Sequence, residues 1–270
     1  MSERFAGGQG EIASARARLT LDDAPRLIYA IGDVHGSLDL LRTLEQRIVR
    51  DASAGADRKL IIMLGDYIDR GPDSAGVLDH LLLPPPRGFE RICLVGNHEQ
   101  MMLDAASAAR GGPDWLANGG DIALASYGVP IQQLRGLRPG SAKLRQVILE
   151  RVPADHIDFL RGLPVAVTFG SLLFVHAAIS GAAPLATLPD EELIWARRPA
   201  GARLADGLTI VHGHVPQPRV ERDGNRIGVD TAAFASGVLS ALKIGPDGAM
   251  SVLTTGGESP LPPGRIHAVG

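Results

Sequence analysis

Three short apolar runs constrain this chain more than any other feature. Each is stopped by a glycine and a polar cluster, and each is followed by a helical pattern. The first, at 26–31 (RLIYAI), ends at Gly32-Asp33-Val34-His35-Gly36. The second, at 59–64 (KLIIML), ends at Gly65-Asp66-Tyr67-Ile68-Asp69-Arg70-Gly71, and the third, at 91–95 (RICLV), at Gly96-Asn97-His98-Glu99. Continuous apolar runs of this length are the pattern of strands buried on both faces. Behind the first, Leu38, Leu41, Leu44 and Ile48 recur at helical spacing, with Ser37 placed as N-cap. Behind the second, Asp73 is placed to cap a helix on Val77, Leu78, Leu81 and Leu82, which Pro84-Pro85-Pro86 must end. Behind the third, Gln100-Met101-Met102-Leu103 begins another helix. Three successive β–α units imply parallel strands with right-handed crossovers, so their polar ends lie side by side. One charged strand end alone reads equally well as a surface loop with a weak ion pair. Three together define a site at the carboxyl edge of an α/β sheet.

The rest of the chain completes two sheets. From 111 to 152 the pattern is helical and looser, an insert forming one wall of the cleft, with a helix at 141–150. Pro153 opens a short helix on Ile157, Phe159 and Leu160. Strands return at 165–169 and 172–175 as a hairpin turning at Gly170-Ser171, the second ending at His176. A short helix at 191–195 leads to Arg197 and Arg198. Strands at 208–211 and 226–229 deliver His212-Gly213-His214 and Asp230-Thr231, and those at 238–244 and 250–253 close the fold as an antiparallel pair. A parallel half followed by an antiparallel half predicts an α/β architecture of two packed mixed sheets with helices outside. No repeat or linker divides it, so one domain spans 25–254. Residues 1–24, rich in Gly, Ala, Arg and Ser, read as a flexible arm, and the Gly- and Pro-dense 255–270 as a fraying tail.

Composition removes several function classes. A net charge of −3 gives no electrostatic case for nucleic acid or an anionic membrane as partner. No stretch is long and apolar enough to span a bilayer, and the first residues lack the apolar core of a signal peptide. The single cysteine, Cys93, excludes intrachain disulfides and thiolate metal clusters and fits a reducing compartment, so the expected location is cytoplasmic.

The pooled strand-end residues Asp33, His35, Asp66, Asn97, His176 and His214 offer oxygen and imidazole nitrogen but no sulfur. That donor set suits Mn²⁺, Fe or Zn²⁺. Asp66, on the central strand, is the natural carboxylate to bridge two cations. Two cations about 3.5–4 Å apart can bind both the attacking and the leaving oxygens of a phosphoryl displacement and acidify water. Arg70, Asn97 and Arg197 could hold the phosphate oxygens, guanidinium being a planar fork that matches two at once. His98 diverges from Asn97 beside it and is better placed as a general acid, with Asp69 holding its tautomer. A lone histidine at a strand end is more often structural, and His80, His156 and His267 are read that way. His212 is either a neighbour of the ligands or structural. Arg198 reads as a solvated neighbour of Arg197.

The three glycine-bounded clusters resemble the three signature motifs of the phosphoprotein phosphatase family within the calcineurin-like metallophosphoesterases. The run 96–104 (GNHEQMMLD), then Trp115-Leu116-Ala117-Asn118-Gly119-Gly120, resembles the compact bacterial and phage type. Ile194-Trp195-Ala196-Arg197, Gly213-His214-Val215-Pro216 and Val229-Asp230-Thr231 continue the likeness. The resemblance implies a four-layer αββα sandwich with a binuclear metal site, most simply Mn. Asp33, His35 and Asp66 would bind one ion, and Asp66, Asn97, His176 and His214 the other. Arg70 and Arg197 would hold phosphate, with His98 as acid and Asp69 as its partner. The implied activity is hydrolysis of phosphoserine or phosphothreonine in proteins, or of a smaller phosphate ester. The family also includes diadenosine tetraphosphate hydrolases, which the motifs do not separate, and a catalytically dead phosphate-binding module is the third reading. This sequence departs from the pattern at Ala177-Ala178 and Ala232, where relatives carry glycine, which is expected to narrow the cleft near the metals.

Overall fold

The first and second apolar runs form strands because both of their faces find a core, whereas the third ends in a half-buried edge strand. The computed structural model describes residues 15–21, 27–52, 58–107, 113–179, 183–197 and 207–262. In chain order these form β1 (Arg18–Thr20), β2 (Leu27–Ile31), α1 (Leu38–Asp51), β3 (Lys59–Met63), α2 (Ser74–Leu82), β4 (Phe89–Cys93) and α3 (Asn97–Ser107). The insert contributes α4 (Gly120–Ser126), α5 (Ile131–Leu134) and α6 (Ala142–Arg151), and α7 (Ala154–Gly162) follows it. Then come β5 (Ala166–Phe169), β6 (Leu172–Val175), α8 (Asp190–Trp195), β7 (Thr209–His212), β8 (Glu221–Asp223) and β9 (Arg226–Gly228). The chain closes with α9 (Ala233–Ser236), β10 (Ser240–Ile244), β11 (Met250–Thr254) and β12 (Glu258–Pro260).

Two six-stranded mixed sheets result, ordered β1-β5-β6-β7-β9-β8 and β12-β11-β10-β2-β3-β4. The three expected β–α units give β2, β3 and β4 as parallel neighbours, with β10 antiparallel beside β2. The other sheet has its own parallel triplet, β6-β7-β9. Alternate residues of the strands explain why the runs are apolar throughout. Ile28, Ala30, Leu60 and Ile62 meet Phe174, Val211 and Ile227 between the sheets. Tyr29, Ile31, Ile61 and Met63 turn the other way, into a second core with Leu41, Leu44, Val77 and Leu78 of the helices. The αββα sandwich is therefore held by two separate apolar layers, one on each face of the β2-β3-β4 triplet.

Several local expectations are corrected. Asp73 caps α2 through Gly76 N–H, but Ser37 makes no side-chain cap to α1. The helix after β4 begins at Asn97, not Gln100, so Asn97 and His98 already stand in its first turn. The arm is not flexible to its end: Arg18–Thr20 runs parallel to β5. It is pinned by Arg16, whose guanidinium donates to the carbonyls of Leu160 and Leu163. At the other end Glu258–Pro260 pairs with β11 inside the expected tail. Both are short edge strands, whose polar sequences carry no burial pattern to read. The outer parts of arm and tail, at 1–14, 22–26 and 263–270, lie outside the described residues, as do Arg198, His267 and Gly111.

Candidate metal centre and active site

All six pooled residues follow the carboxyl ends of the two parallel triplets, where the sheets' loops interlock. Asp33 and His35 follow β2, Asp66 follows β3, and Asn97 follows β4. His176 follows β6 and His214 follows β7. All six are buried. Glycines allow the approach: a Cβ on Gly213 would stand 2.1 Å from Asp33 Oδ1, and one on Gly96 would stand 2.2 Å from Asp66 Oδ1. The loops are also bent hard. Seven described non-glycine residues have positive φ, and five of them are His35, Asp66, Asp69, Arg70 and His214. Such conformations cost roughly 1–3 kcal/mol each and persist only where surrounding contacts fix them.

Those contacts are visible. Glu99 is fully buried and accepts backbone N–H bonds from Asp66, Tyr67 and Gly96 at 2.8 Å, and from Ile68 at 3.4 Å. One carboxylate thus gathers the β3 and β4 loops. Burial, then the neighbouring Asp66, pushes its pKa up to about 8. Asp69 receives His98 Nδ1–H at 2.6 Å and the Trp115 indole N–H at 2.9 and 3.0 Å. Asp33 accepts the His214 backbone N–H at 3.1 Å through both oxygens and hydrogen-bonds the Asp230 carboxyl. Glu99, Trp115 and Asp230 were given no role by sequence reasoning. Glu99 and Asp230 lie within the quoted motifs, but only burial distinguishes a bracing carboxylate from a solvated one.

The donor chemistry fits a cation. His176 donates Nδ1–H to the Leu64 carbonyl at 2.8 Å, which leaves a lone pair on Nε2. That lone pair faces Asn97 Oδ1 at 3.0 Å, His214 Nδ1 at 3.2 Å and Asp66 Oδ1 at 3.4 Å. Lone pairs gathered in this way lack a donor among themselves and are satisfied by a shared positive ion. His35 donates Nδ1–H to the Ile68 carbonyl, and its Nε2 stands 3.5 Å from Asp66 Oδ2. Among the described residues two tight groups could hold an ion: Asp66 with His176 and His214, and Asp66 with His35 and His98. Asp66 belongs to both. Asp33 lies beside them on Asp230 rather than within either group, and His98 takes its place in the second.

Electrostatics point the same way. Burial pushes Asp66 up to about 7, and burial with Asp230 and Asp66 pushes Asp33 well above the usual carboxylate range. Burial lowers His35 and His176 to about 3. Neutral acids and unprotonated imidazoles are what a buried ligand set becomes without a cation, and a dication reverses the preference of the acids. His98 is pushed down by burial, then by His35 and Arg70, so its protonated form needs negative charge beside it. Bound phosphate would provide that charge.

Arg70 spans the site, donating to His35 Nε2 and His98 Nε2 at 3.0 Å each. Arg197 is exposed on the opposite rim, and its charge acts on Asp66, His176 and His214. Its loop is held by Trp195, half-buried against the core, and by Ala178 N–H bonded to the Ala196 carbonyl. Ala177 and Ala178 are buried, with their N–H groups on the carbonyls of Leu193 and Ala196. Ala232 is in the left-handed region at φ 53°. His212 is buried with Nδ1 on the adjacent Gly213 carbonyl, a structural setting. His156 bonds Tyr127 and Asp79, and His80 bonds Glu45.

A two-sheet sandwich whose parallel strands aim aspartate, asparagine and histidine at one point is the frame of a metal-dependent phosphoesterase. The model of the calcineurin-like phosphoesterase family matches residues 26–238, and the chain belongs to that family. Serine/threonine-protein phosphatase 2 of Escherichia coli (strain K12) is 29% identical over 228 residues, 81% of this chain and 93% of that one. Serine/threonine-protein phosphatase 1 of Salmonella typhimurium is 38% identical over 96 residues, and the match spans 36% of this chain and 40% of that relative. The symmetrical bis(5'-nucleosyl)-tetraphosphatase of Acidovorax sp. (strain JS42) is 25% identical over 252 residues, 88% of this chain and 74% of that one. Among solved structures, a putative diadenosine tetraphosphatase superimposes with TM-score 0.59 at 19% identity, covering 88% of this chain and 98% of its own. The family uses divalent metals, and the donor set here accords with that. No helix among the described residues is long and apolar enough to cross a membrane.

Proposed function

We propose that this metallophosphoesterase is a phosphomonoesterase acting on phosphoserine or phosphothreonine in proteins, with two divalent ions, Mn²⁺ first, bridged by Asp66. The observation that carries the metal reading is the gathering of Asp66 Oδ1, Asn97 Oδ1 and His214 Nδ1 within 3.4 Å of His176 Nε2. His35, Asp66 and Asp33 are assigned to the second ion. Bound there, the pair would offset phosphoryl charge and acidify water at neutral pH. Arg70, Asn97 and Arg197 hold the phosphate oxygens from opposite rims and orient the ester. His98, its Nδ1 proton on Asp69, presents Nε2 to the leaving oxygen and gives it a proton. Trp115 fixes Asp69, and through it the ring plane of His98.

The protein substrate is favoured by the relative from Escherichia coli, named a serine/threonine-protein phosphatase and matched over 93% of its length. The second reading, hydrolysis of a dinucleoside tetraphosphate, is favoured by the relative from Acidovorax, matched over 88% of this chain. Metal-reconstituted protein should be assayed with Mn²⁺ on phosphoserine and phosphothreonine peptides, diadenosine tetraphosphate and an aryl phosphate. The first reading expects the peptides to show the highest kcat/KM among the physiological candidates. A higher value for diadenosine tetraphosphate replaces it with the second.

A further inference from the structure

Phe234 is an apolar side chain left 40% exposed at the mouth of the site. Its ring centroid lies 5.1 Å from the Arg70 guanidinium carbon. The same ring meets His35 edge-on, with centroids 5.3 Å apart. It stands on α9, a single turn entered through Ala232 at φ 53° and left through Gly237 at φ 71°. Asp230 Oδ1 accepts the Ala232 N–H at 2.7 Å, and Ser236 Oγ donates to the Thr231 carbonyl at 2.7 Å. The ring is thus held in place by its backbone turn and the guanidinium rather than by burial. With Pro72, Ser37 and Gly237 it also lines a cavity of about 270 Å³, which has room for a phenyl group.

We propose that Phe234 is a specificity-determining residue that reads the group carrying the phosphate, adding affinity for a flat aromatic group beside Arg70, so that an aryl phosphate binds more tightly than the aliphatic serine or threonine esters of the proposed function. The inference rests on Arg70 as a holder of phosphate. A phosphate on Arg70 brings the first atoms of its ester skeleton beside a ring already stacked on the same guanidinium. An aromatic skeleton gains an offset or edge-on contact there, and a small aliphatic one gains little.

Binding of phenylphosphonate and methylphosphonate to the metal-loaded protein, measured by calorimetry, reads the preference without turnover. The wild type should bind phenylphosphonate more tightly, and Phe234→Ala should shrink that ratio roughly three- to tenfold, the usual worth of an aromatic pair. Phe234→Tyr should keep the ratio, and Phe234→Leu should lose most of it, since leucine is apolar but has no π face. No discrimination in the wild type overturns the proposal. So does an equal loss for both ligands in Phe234→Ala, which would make the ring only a positioning residue for Arg70. Discrimination without hydrolysis of any ester would leave this inference standing and sink the phosphomonoesterase reading instead.

Discussion

The two parallel triplets supply the candidate ligands at one place but hold them by different means. The β2-β3-β4 loops put four side chains, His35, Asp66, Asp69 and Arg70, into left-handed backbone. They are braced by buried charge: Glu99 takes four amides, and Asp69 is clamped by Trp115 and His98. The β6-β7-β9 loops rely more on backbone and packing, with Asp33 accepting the His214 N–H and Asp230 the Ala232 N–H. Ala177 and Ala178 bond the carbonyls of Leu193 and Ala196, and Gly213 lies against Asp33. In this half positive φ also falls on Ile179 and Ala232, which are not among the six ligands. The difference teaches that the bends of the first triplet hang on two buried carboxyls, while the second, held more by main-chain bonds and close packing, can tolerate changes around its candidate ligands.

The largest effect should therefore come from the first triplet. Asp66→Asn keeps shape but removes the negative charge shared by both ion groups. Turnover should vanish and both metals should weaken together, as followed by elemental analysis after dialysis. Retained metal with near-normal turnover would break the comparison at its centre.

His98→Asn should keep both metals while slowing turnover about 10²–10⁴-fold, the usual contribution of a positioned general acid. The loss should shrink for aryl phosphates, whose leaving groups need less protonation. Equal loss on every substrate, with metal also lost, would place His98 among the ligands, as its grouping with His35 and Asp66 allows.

Arg197, on the exposed rim of the second triplet, should matter less. Losing one charge-assisted clamp costs about 1.5–3 kcal/mol, so Arg197→Ala should lower kcat/KM by at least roughly tenfold. Metal content should stay the same and inhibition by free phosphate should weaken. Arg197→Lys should restore activity only in part, since an ammonium lacks the planar fork.

Ala232→Gly tests the tolerance of that triplet and should have the smallest effect. Left-handed backbone costs a non-glycine residue about 1–2 kcal/mol, and glycine gives back roughly 0.5–1 kcal/mol in unfolded-chain entropy. Thermal unfolding should show equal or slightly higher stability, with metal content unchanged. A clear loss would mean that the Ala232 methyl packs more tightly than its surroundings indicate.

These differences also explain what could be read from the sequence. The first triplet was legible because burial on both faces writes continuous apolar runs in β2 and β3, and a glycine marks where each run stops, while the half-buried edge strand β4 starts two residues earlier than its apolar run. Arg197 was singled out mainly through its resemblance to a family motif, for nothing in its short helix is periodic. Glu99 and Trp115 were hidden, because a glutamate in the first turn of a helix and a tryptophan in a loose insert have ordinary solvated or core readings. The edge strands β1, β8 and β12 were missed because three residues against one neighbour, with a single apolar Leu19 among the first three, are too short to show a pattern.

If Asp66 joins two ions in one centre, metal stoichiometry will show it. Protein stripped of metal, reconstituted with Mn²⁺ and freed of excess should hold two ions per chain by elemental analysis, and Asp66→Asn should hold neither firmly. A firm value of one or none in the wild type would contradict the account.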